Sequence, residues 1–446
     1  MKKITYKIIL LFSITALSQE KTLSLNLEEA IEFALENNTE IKNAKLEVDK
    51  AYSEKWKVIS TGLPQLSADI SYNNFLELPV SLIPSQFFGG KEGEFTEVSF
   101  GTEQNFIGSA RMTQLLFDGS YIIGVKATKT YLQVSKNALQ KTNLEIKKLV
   151  IEAYMNTLIS KANIEFIDKN IDNLYQTLKE TKNLLLNGLI EEENLEQLNI
   201  TLSELNSKRK FAKQYSELSK DLLKIILGLE ENERLNLASS LESIVDSQIY
   251  MLPETNAWDI NSNIDVKIAV NDVEYKRLEY KLEQSKALPK LSSFISGAYT
   301  GNSNSFTFYN QNQKWFGSAL FGVNLEVPIF SSLGRSAGSQ IAKISYEQSK
   351  SKLQNTQQKI KISAKNAKAS YELAIDNFNV ERNNMKLAER IERKNQKKFS
   401  EGIASSFELR QAQNQLFTAQ KNYLNSIKNL ITKKTNLEIL LNNYNN

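Results

Sequence analysis

The amino-acid sequence predicts a mainly α-helical chain with a membrane β-barrel portion, in which a strand hairpin followed by a long helical hairpin occurs twice. Three observations carry this: an internal repeat, four short segments of alternating hydrophobicity, and long stretches with apolar residues three and four apart and almost no breakers. Asn38-Thr-Glu-Ile-Lys-Asn-Ala44 is echoed by Asn263-Ile-Asp-Val-Lys-Ile-Ala269, and Leu63-Pro64-Gln-Leu66-Ser67 by Leu288-Pro289-Lys-Leu291-Ser292. Residues 38–71 and 263–296 share 12 identities in 34 gapless positions, which makes the chain an internal duplication. Further on, Phe117 matches Phe330 and Gly188 matches Gly402 at a shorter offset, so the first copy carries extra residues in a loop. A period this long marks a duplicated half-protein, not a solenoid.

Composition narrows the class. Among 446 residues only 17 are Gly and 6 Pro, few breakers for a chain that is 41% hydrophobic, so long uninterrupted elements are expected. The net charge of +4 comes from 55 basic and 51 acidic residues that are interspersed, which argues against a nucleic-acid partner. Cysteine and histidine are both absent, which removes thiolate nucleophiles, Cys/His zinc sites, disulfides and His-based triads together. Leu333-Gly-Arg-Ser-Ala-Gly338 lacks the lysine of a phosphate-binding loop. Neither an enzyme nor a resident cofactor or metal is expected.

The elements follow in order. Residues 1–18 read as a signal peptide, with Lys2, Lys3 and Lys7 before the apolar run Ile8 to Leu17 and a small-x-small site, Ala16-Leu-Ser18, before Gln19. The apolar run is shorter than the ~20 residues a bilayer span needs. No later run approaches that length, so membrane entry would have to use strands. The first repeat, 19–230, opens with a helical stretch from Leu27 that Asn37-Asn38 interrupts and that then runs to Gly62. Pro64 ends it, lacking an amide donor and pushing Leu63 toward extended angles.

A strand is predicted at about 65–76, where Leu66, Ala68, Ile70 and Tyr72 alternate with Ser67, Asp69, Ser71 and Asn73. Residues 77–105, with Pro79, Pro84, Gly89, Gly90, Gly93 and Gly101, read as a long loop, and a second strand follows at about 106–117. From 120 to 186 there is no proline and one glycine, and Ile164, Ile167, Ile171, Leu174, Leu178, Thr181 and Leu185 form a coiled-coil seam. Such a helix would be roughly 100 Å long. Asn187-Gly188 breaks it, and a returning helix is expected at about 190–227.

Residues 231–260 join the copies. The second repeat, 261–446, has strands at about 290–300 and 317–330, a long helix at about 336–399, a turn at Gly402 and a returning helix at about 405–441. In that last helix Leu409, Ala412, Leu416, Ala419, Tyr423, Ser426 and Leu430 give the seam. Four amphipathic strands cannot close a barrel, and in a bilayer every strand edge must be paired. Several copies must share one barrel; a trimer would supply twelve strands.

At this point the chain resembles the TolC-like outer membrane efflux proteins. The matching segments are Leu27-Glu-Glu-Ala-Ile-Glu-Phe-Ala-Leu-Glu-Asn-Asn38, the Leu-Pro-x-Leu junctions at Pro64 and Pro289, and Leu116-Phe117-Asp118-Gly119. Ile329-Phe330 and Phe399-Ser-Glu-Gly402-Ile-Ala-Ser405-Ser-Phe-Glu-Leu409 complete the set. The resemblance implies a homotrimeric channel-tunnel in the outer membrane of a Gram-negative cell, a twelve-stranded barrel in outer-membrane lipid above a large periplasmic α-barrel. It implies a passive exit duct of a tripartite efflux or type I secretion system, served by a periplasmic adaptor (membrane fusion protein) and an inner-membrane pump of RND, ABC or MFS type.

For the hairpin turns it implies adaptor docking at Gly188, Leu189, Gly402, Ile403 and Ser405, and an entrance gate at Glu191, Glu192, Glu193, Asn194 and Glu408. Asn194 is uncharged, and Ala404 stands where some members place a basic gating residue. Pro64, Pro289 and Pro328 are expected at helix–strand junctions, although the first copy has Leu115 where the second has Pro328. Plainer readings stand beside these. The two glycines could serve only as helix caps, and the glutamates could serve only the helix dipole. The alternative function is a secreted or periplasmic coiled-coil scaffold or adaptor without a pore; such a protein would lack the proline-punctuated strand pairs.

Overall fold

The computed structural model describes residues 23–248 and 258–441, so the signal segment and Pro253 lie outside the described residues. In chain order the first half contains β1 (Leu23–Leu25), α1 (Leu27–Asn37), α2 (Thr39–Ser60), β2 (Gln65–Asn74), β3 (Val80–Pro84), β4 (Phe95–Ser99), β5 (Gln104–Asp118), α3 (Gly119–Leu186) and α4 (Glu192–Leu227). The second half contains β6 (Leu235–Leu237), α5 (Leu241–Gln248), α6 (Ile264–Ser285), β7 (Lys290–Ser303), β8 (Trp315–Glu326), α7 (Gly334–Ser400) and α8 (Ser406–Leu441). Two compact units form, and neither coincides with a repeat: one takes residues up to Leu46, 137–267 and from 355 onward, the other Glu47–Lys136 and Ile268–Gln354. Each repeat therefore contributes to both.

In the first unit the duplication has a direct physical use. Asn38 begins α2, its Oδ1 accepting from the amides of Glu40 and Ile41 at 2.8 and 3.3 Å, while its Nδ2 donates to the Ile226 carbonyl at the end of α4 at 2.7 Å. Asn263 repeats this in the second copy, capping α6 through the amides of Asp265 and Val266 and donating to Leu440 near the end of α8 at 2.8 Å. One amide side chain thus satisfies two helix ends that would otherwise keep unpaired groups. Tyr154, fully buried, donates its hydroxyl to the Leu25 carbonyl at 2.9 Å and ties α3 to the parallel β1–β6 pair. At the end of α4, Gly228 has φ +79°, and a Cβ there would stand 2.5 Å from the Asn37 carbonyl oxygen, so only glycine fits.

The second unit holds an antiparallel sheet in the order β2-β5-β7-β8, the two repeats meeting at β5–β7 and leaving β2 and β8 at the edges. The register sorts side chains by face. On one face lie Leu66, Ile70 and Tyr72 of β2, Phe106 and Met112 of β5, Ile295 and Tyr299 of β7, and Trp315 and Phe321 of β8; on the other lie Ser67, Asp69, Ser109, Arg111, Ser296, Thr300 and Ser318. The apolar face is open, with Leu66 and Ile70 77% and 74% exposed. A bulge between Leu115 and Phe117 in β5 inserts one extra residue, so Phe117 pairs with Leu291 and returns to the apolar face instead of falling on the polar one. The first copy thereby turns from strand to helix without the proline that the second copy has at 328.

Two sequence expectations change. Residues 77–105 are not a structureless loop, because β3 and β4 pair there as a small hairpin with a 3-10 turn at Ser85–Phe88. β8 stops at Glu326 rather than 330; Pro328 follows, and its carbonyl accepts from Arg335 Nη1 at 2.9 Å across a turn in which Ser332 and Leu333 take positive φ. The aromatic residues near the strand ends divide by face. Phe106 and Trp315 join Tyr72, Phe306 and Phe308 in a cluster of edge-on and tilted rings on the apolar face, whereas Phe294 and Phe316 sit on the polar face.

Replacing either bridging asparagine should weaken the first unit. Asn38→Ala or Asn263→Ala is expected to cost about 1–3 kcal/mol, from a lost cap and a buried carbonyl left without its donor. Denaturant melts of the solubilised protein would show it, and Asn→Asp should not rescue, since a carboxylate cannot donate.

Candidate functional site

The two hairpin turns are built alike. α3 ends with Gly188 at φ +70°, its N–H donating to Leu185 O at 2.9 Å and that of Leu189 to Leu184 O at 3.0 Å. α7 ends with Gly402 at φ +73°, donating to Phe399 O at 3.0 Å, while Ile403 donates to Lys398 O at 2.8 Å. Both are Schellman-type caps. Nothing lies within 4 Å of a Cβ built on either glycine, so backbone conformation alone requires it. The residues after them, Leu189 and Ile403, are apolar and about 70% exposed, as is much of Leu186 and Phe407.

The acidic residues divide by role. Glu408 is absorbed by the start of α8: its Oε2 accepts from the Ser405 amide at 2.8 Å and hydroxyl at 3.1 Å, and Ser405 Oγ accepts in return from the Glu408 amide. The Ser405 N–H, and then its hydroxyl, hold this carboxyl below its ordinary range. Glu191 is the N-cap residue of α4 but its side chain makes no cap bond; its carbonyl accepts from Asn194 Nδ2 at 3.1 Å. Glu192 and Glu193 occupy the first turn, where the helix dipole favours them. Glu193 accepts from Gln197 Nε2 at 2.6 Å, and Gln197 Oε1 lies 3.5 Å from Ser406 Oγ, so a side-chain chain runs from α4 to the first residue of α8. Pro64, Pro289 and Pro328 belong to the other unit, beside β2, β7 and β8.

The hairpins differ inside and between. Within the first, Ile171 and Leu174 of α3 pack with Leu198 and Leu205 of α4; within the second, Ala388 of α7 packs with Leu416 and Ala419 of α8. Between the hairpins polar joins stand beside apolar ones: Phe417 of α8 packs against the α3–α4 cluster, and Tyr154, Leu223, Phe378 and Leu430 belong to one buried cluster drawn from all four helices. Asn170 Nδ2 donates to Gln420 Oε1 at 2.8 Å in a buried contact, and Gln396 Nε2 reaches Thr177 Oγ1 at 3.4 Å. Gln413 Oε1 is buried with no partner among the described residues. Glu392 is only 4% exposed, and burial pushes its carboxyl up, against the opposing pull of Arg393 and Lys169.

Sequence reasoning missed these groups, although Gln413, Gln420, Ile427 and Lys434, all buried, stand seven apart on α8. Polar residues on a heptad stripe were the available signal. α4 and α8 also border a groove over α3 lined by Phe166, Phe211, Tyr215 and Phe417 together with Lys208 and Lys421.

No helix among the described residues is long and apolar enough to cross a membrane. The whole arrangement, one half-open sheet with long helical hairpins, is the fold of outer-membrane channels. The structure is similar to that of CusC (TM-score 0.75, 18% identity, 94% of this chain and 92% of that one). It is similar to VceC of Vibrio cholerae (TM-score 0.71, 14% identity, 93% and 95%) and to the CmeC outer membrane channel of Campylobacter jejuni (TM-score 0.70, 17% identity, 99% and 93%). Residues 260–443 match the family model described as outer membrane efflux protein, and a curated relative, the proteases secretion protein PrtF of Dickeya chrysanthemi, is 19% identical over 353 residues, covering 78% of this chain and 73% of that protein. The chain thus shares the fold of these outer-membrane channels, and residues 260–443 resemble the outer membrane efflux proteins in sequence.

The buried carboxyl gives a pH prediction with a defined sign. A folded-state pKa raised above the unfolded value makes ionisation costly in the native state, so Glu392 destabilises above its unfolded pKa and not below it. Glu392→Gln is expected to raise the melting temperature at pH 8 by a few degrees and to leave it nearly unchanged at pH 4. A loss at pH 8 would mean instead that the carboxylate is needed as the partner of Lys169.

Proposed function

We propose that three copies of this chain form a passive duct across the outer membrane of a Gram-negative cell, with a large periplasmic portion. It is the exit of a tripartite efflux or type I secretion system that receives cargo from a periplasmic adaptor and an inner-membrane pump. The observation that carries this is the four-stranded sheet: one face is apolar and open, and β2 and β8 are unpaired edges. In hydrocarbon each unpaired backbone group costs several kcal/mol, so β8 of one copy must pair with β2 of the next until the ring closes. Twelve strands then surround the polar face, and outer-membrane lipid covers the apolar one.

The turns supply the other end of the reading. Six of them per trimer would ring the entrance, with Leu189 and Ile403 presenting exposed apolar side chains, and Gly188, Gly402 and Ser405 the exposed turns around them, to an adaptor's helical hairpins. Glu191, Glu192, Glu193 and Asn194 would line the mouth, Glu408 contributing through the helix start it stabilises. The amide contacts between hairpins at Asn170–Gln420 and Thr177–Gln396 suit a gate, because hydrogen bonds can be exchanged when helices shift. The secretion role in the name of PrtF and the efflux description of the family support an export duct.

Two results are expected. Because the chain has no cysteine, single cysteines placed on β2 (Ser67 or Ser71) and on β8 (Ser318 or Asn324) can be oxidised in membranes. At least one combination should give covalent dimers and trimers and nothing larger; monomers alone from every combination would contradict the shared barrel. Gly188→Val and Gly402→Val force a β-branched residue into left-handed backbone, so export should fail while trimers still assemble, read as cargo efflux beside native mass analysis. Full efflux would leave the glycines as dispensable caps.

A further inference from the structure

The polar face of the sheet carries one cation between the strand ends, Arg111 on β5, opposite Ser67 of β2 and Ser296 of β7. Its guanidinium carbon lies 4.2 Å from the centroid of the Phe294 ring. Phe294, one pair along β7 on the same face, stands opposite Gly322 of β8, and a Cβ on Gly322 would come within 2.6 Å of the ring. The glycine therefore makes room for the ring, and the ring seats the guanidinium. Arg111 forms no ion pair among the described residues. Asp69, the acidic residue of the same face between the strand ends, stands opposite Ser109, one pair further along, and no ion pair joins it to Arg111 among the described residues.

The kind of support matters. An ion pair would hold the side chain and cancel its charge, whereas a cation–π contact holds it and leaves the charge to the solvent in front of it. We propose that Arg111, seated on Phe294, is an anion-attracting residue of the duct's membrane segment and biases passage toward anionic solutes. This rests on the duct reading above, in which the polar face becomes the lumen and each trimer brings three such charges to it. A fixed positive charge beside a narrow water column raises the local concentration of anions and lowers that of cations.

The test uses the full chain in membranes and reads the local potential directly. Ser296→Cys, beside Arg111 on the polar face, is the reporter, and Ile295→Cys, on the apolar face, is the reference. Each is reacted with a negatively charged sulfonatoethyl and a positively charged trimethylammonium methanethiosulfonate. At Ser296→Cys, Arg111→Gln should lower the anion-to-cation rate ratio about threefold, as expected for removal of a unit charge screened by water at side-chain distance. Arg111→Lys should largely preserve the ratio. Phe294→Leu, which keeps the arginine but removes its seat, should give an intermediate value and serves if Arg111→Gln fails to assemble. A ratio unchanged by Arg111→Gln, or by Phe294→Leu, overturns the proposal while the reporter still reacts. Equal reactivity at Ile295→Cys and Ser296→Cys would instead overturn the duct reading, since one face must then not be in lipid.

Discussion

Backbone amides and carbonyls must be paired wherever water is removed, and most of this architecture follows from that obligation. In the helical unit it is met locally: Schellman caps close α3 and α7, Ser405 and Glu408 close the start of α8, and Asn38 and Asn263 each serve two helices at once. In the sheet it is met only for the inner strands. β5 and β7 have partners on both sides and β2 and β8 do not, so the sheet ends in two unpaired edges. In the proposed trimer, assembly continues folding by the same hydrogen bonds.

The duplication is put to use at two levels. At the centre of the sheet the repeats join through β5 and β7, so the pairing of copies within the chain resembles the pairing proposed between chains. In the helical unit the paired asparagines give each hairpin the same anchorage, Ile226 and Leu440 being corresponding carbonyls. Symmetry is relaxed where the two copies must turn from strand to helix. The second uses Pro328 and two positive-φ residues, while the first uses a bulge at Leu116 and Asp118 as the cap of α3, its Oδ1 accepting from the Ser120 amide at 2.7 Å.

Two kinds of contact hold the hairpins. Apolar clusters bind the helices within each hairpin and also span the two, and burying them stabilises by about 25 cal/mol per Å² with no directional requirement. Amide and hydroxyl contacts add to these between the hairpins, and they carry geometry with little net energy. Buried beside these contacts are the Glu392 carboxyl, whose ionisation burial makes costly, and the Gln413 oxygen, which has no partner among the described residues.

By itself the sequence determined the element types and the class of fold, since period-two and three/four spacing depend only on which side chains must leave water. Pro64, Pro289, Gly188 and Gly402 were legible because their backbone restrictions are intrinsic to the residue. It could not show that Glu408 is spent on a cap, that β3 and β4 pair inside a glycine- and proline-rich segment, or that Phe294 and Phe316 stand on the face opposite Phe106 and Trp315. The strand outcomes depend on register: one residue of slip reverses every face of a strand, and the bulge at Leu116 introduces such a slip. Arg111 illustrates the limit. Its charge is visible in the sequence, but its seat exists only because strand pairing sets a ring from β7 over a glycine from β8.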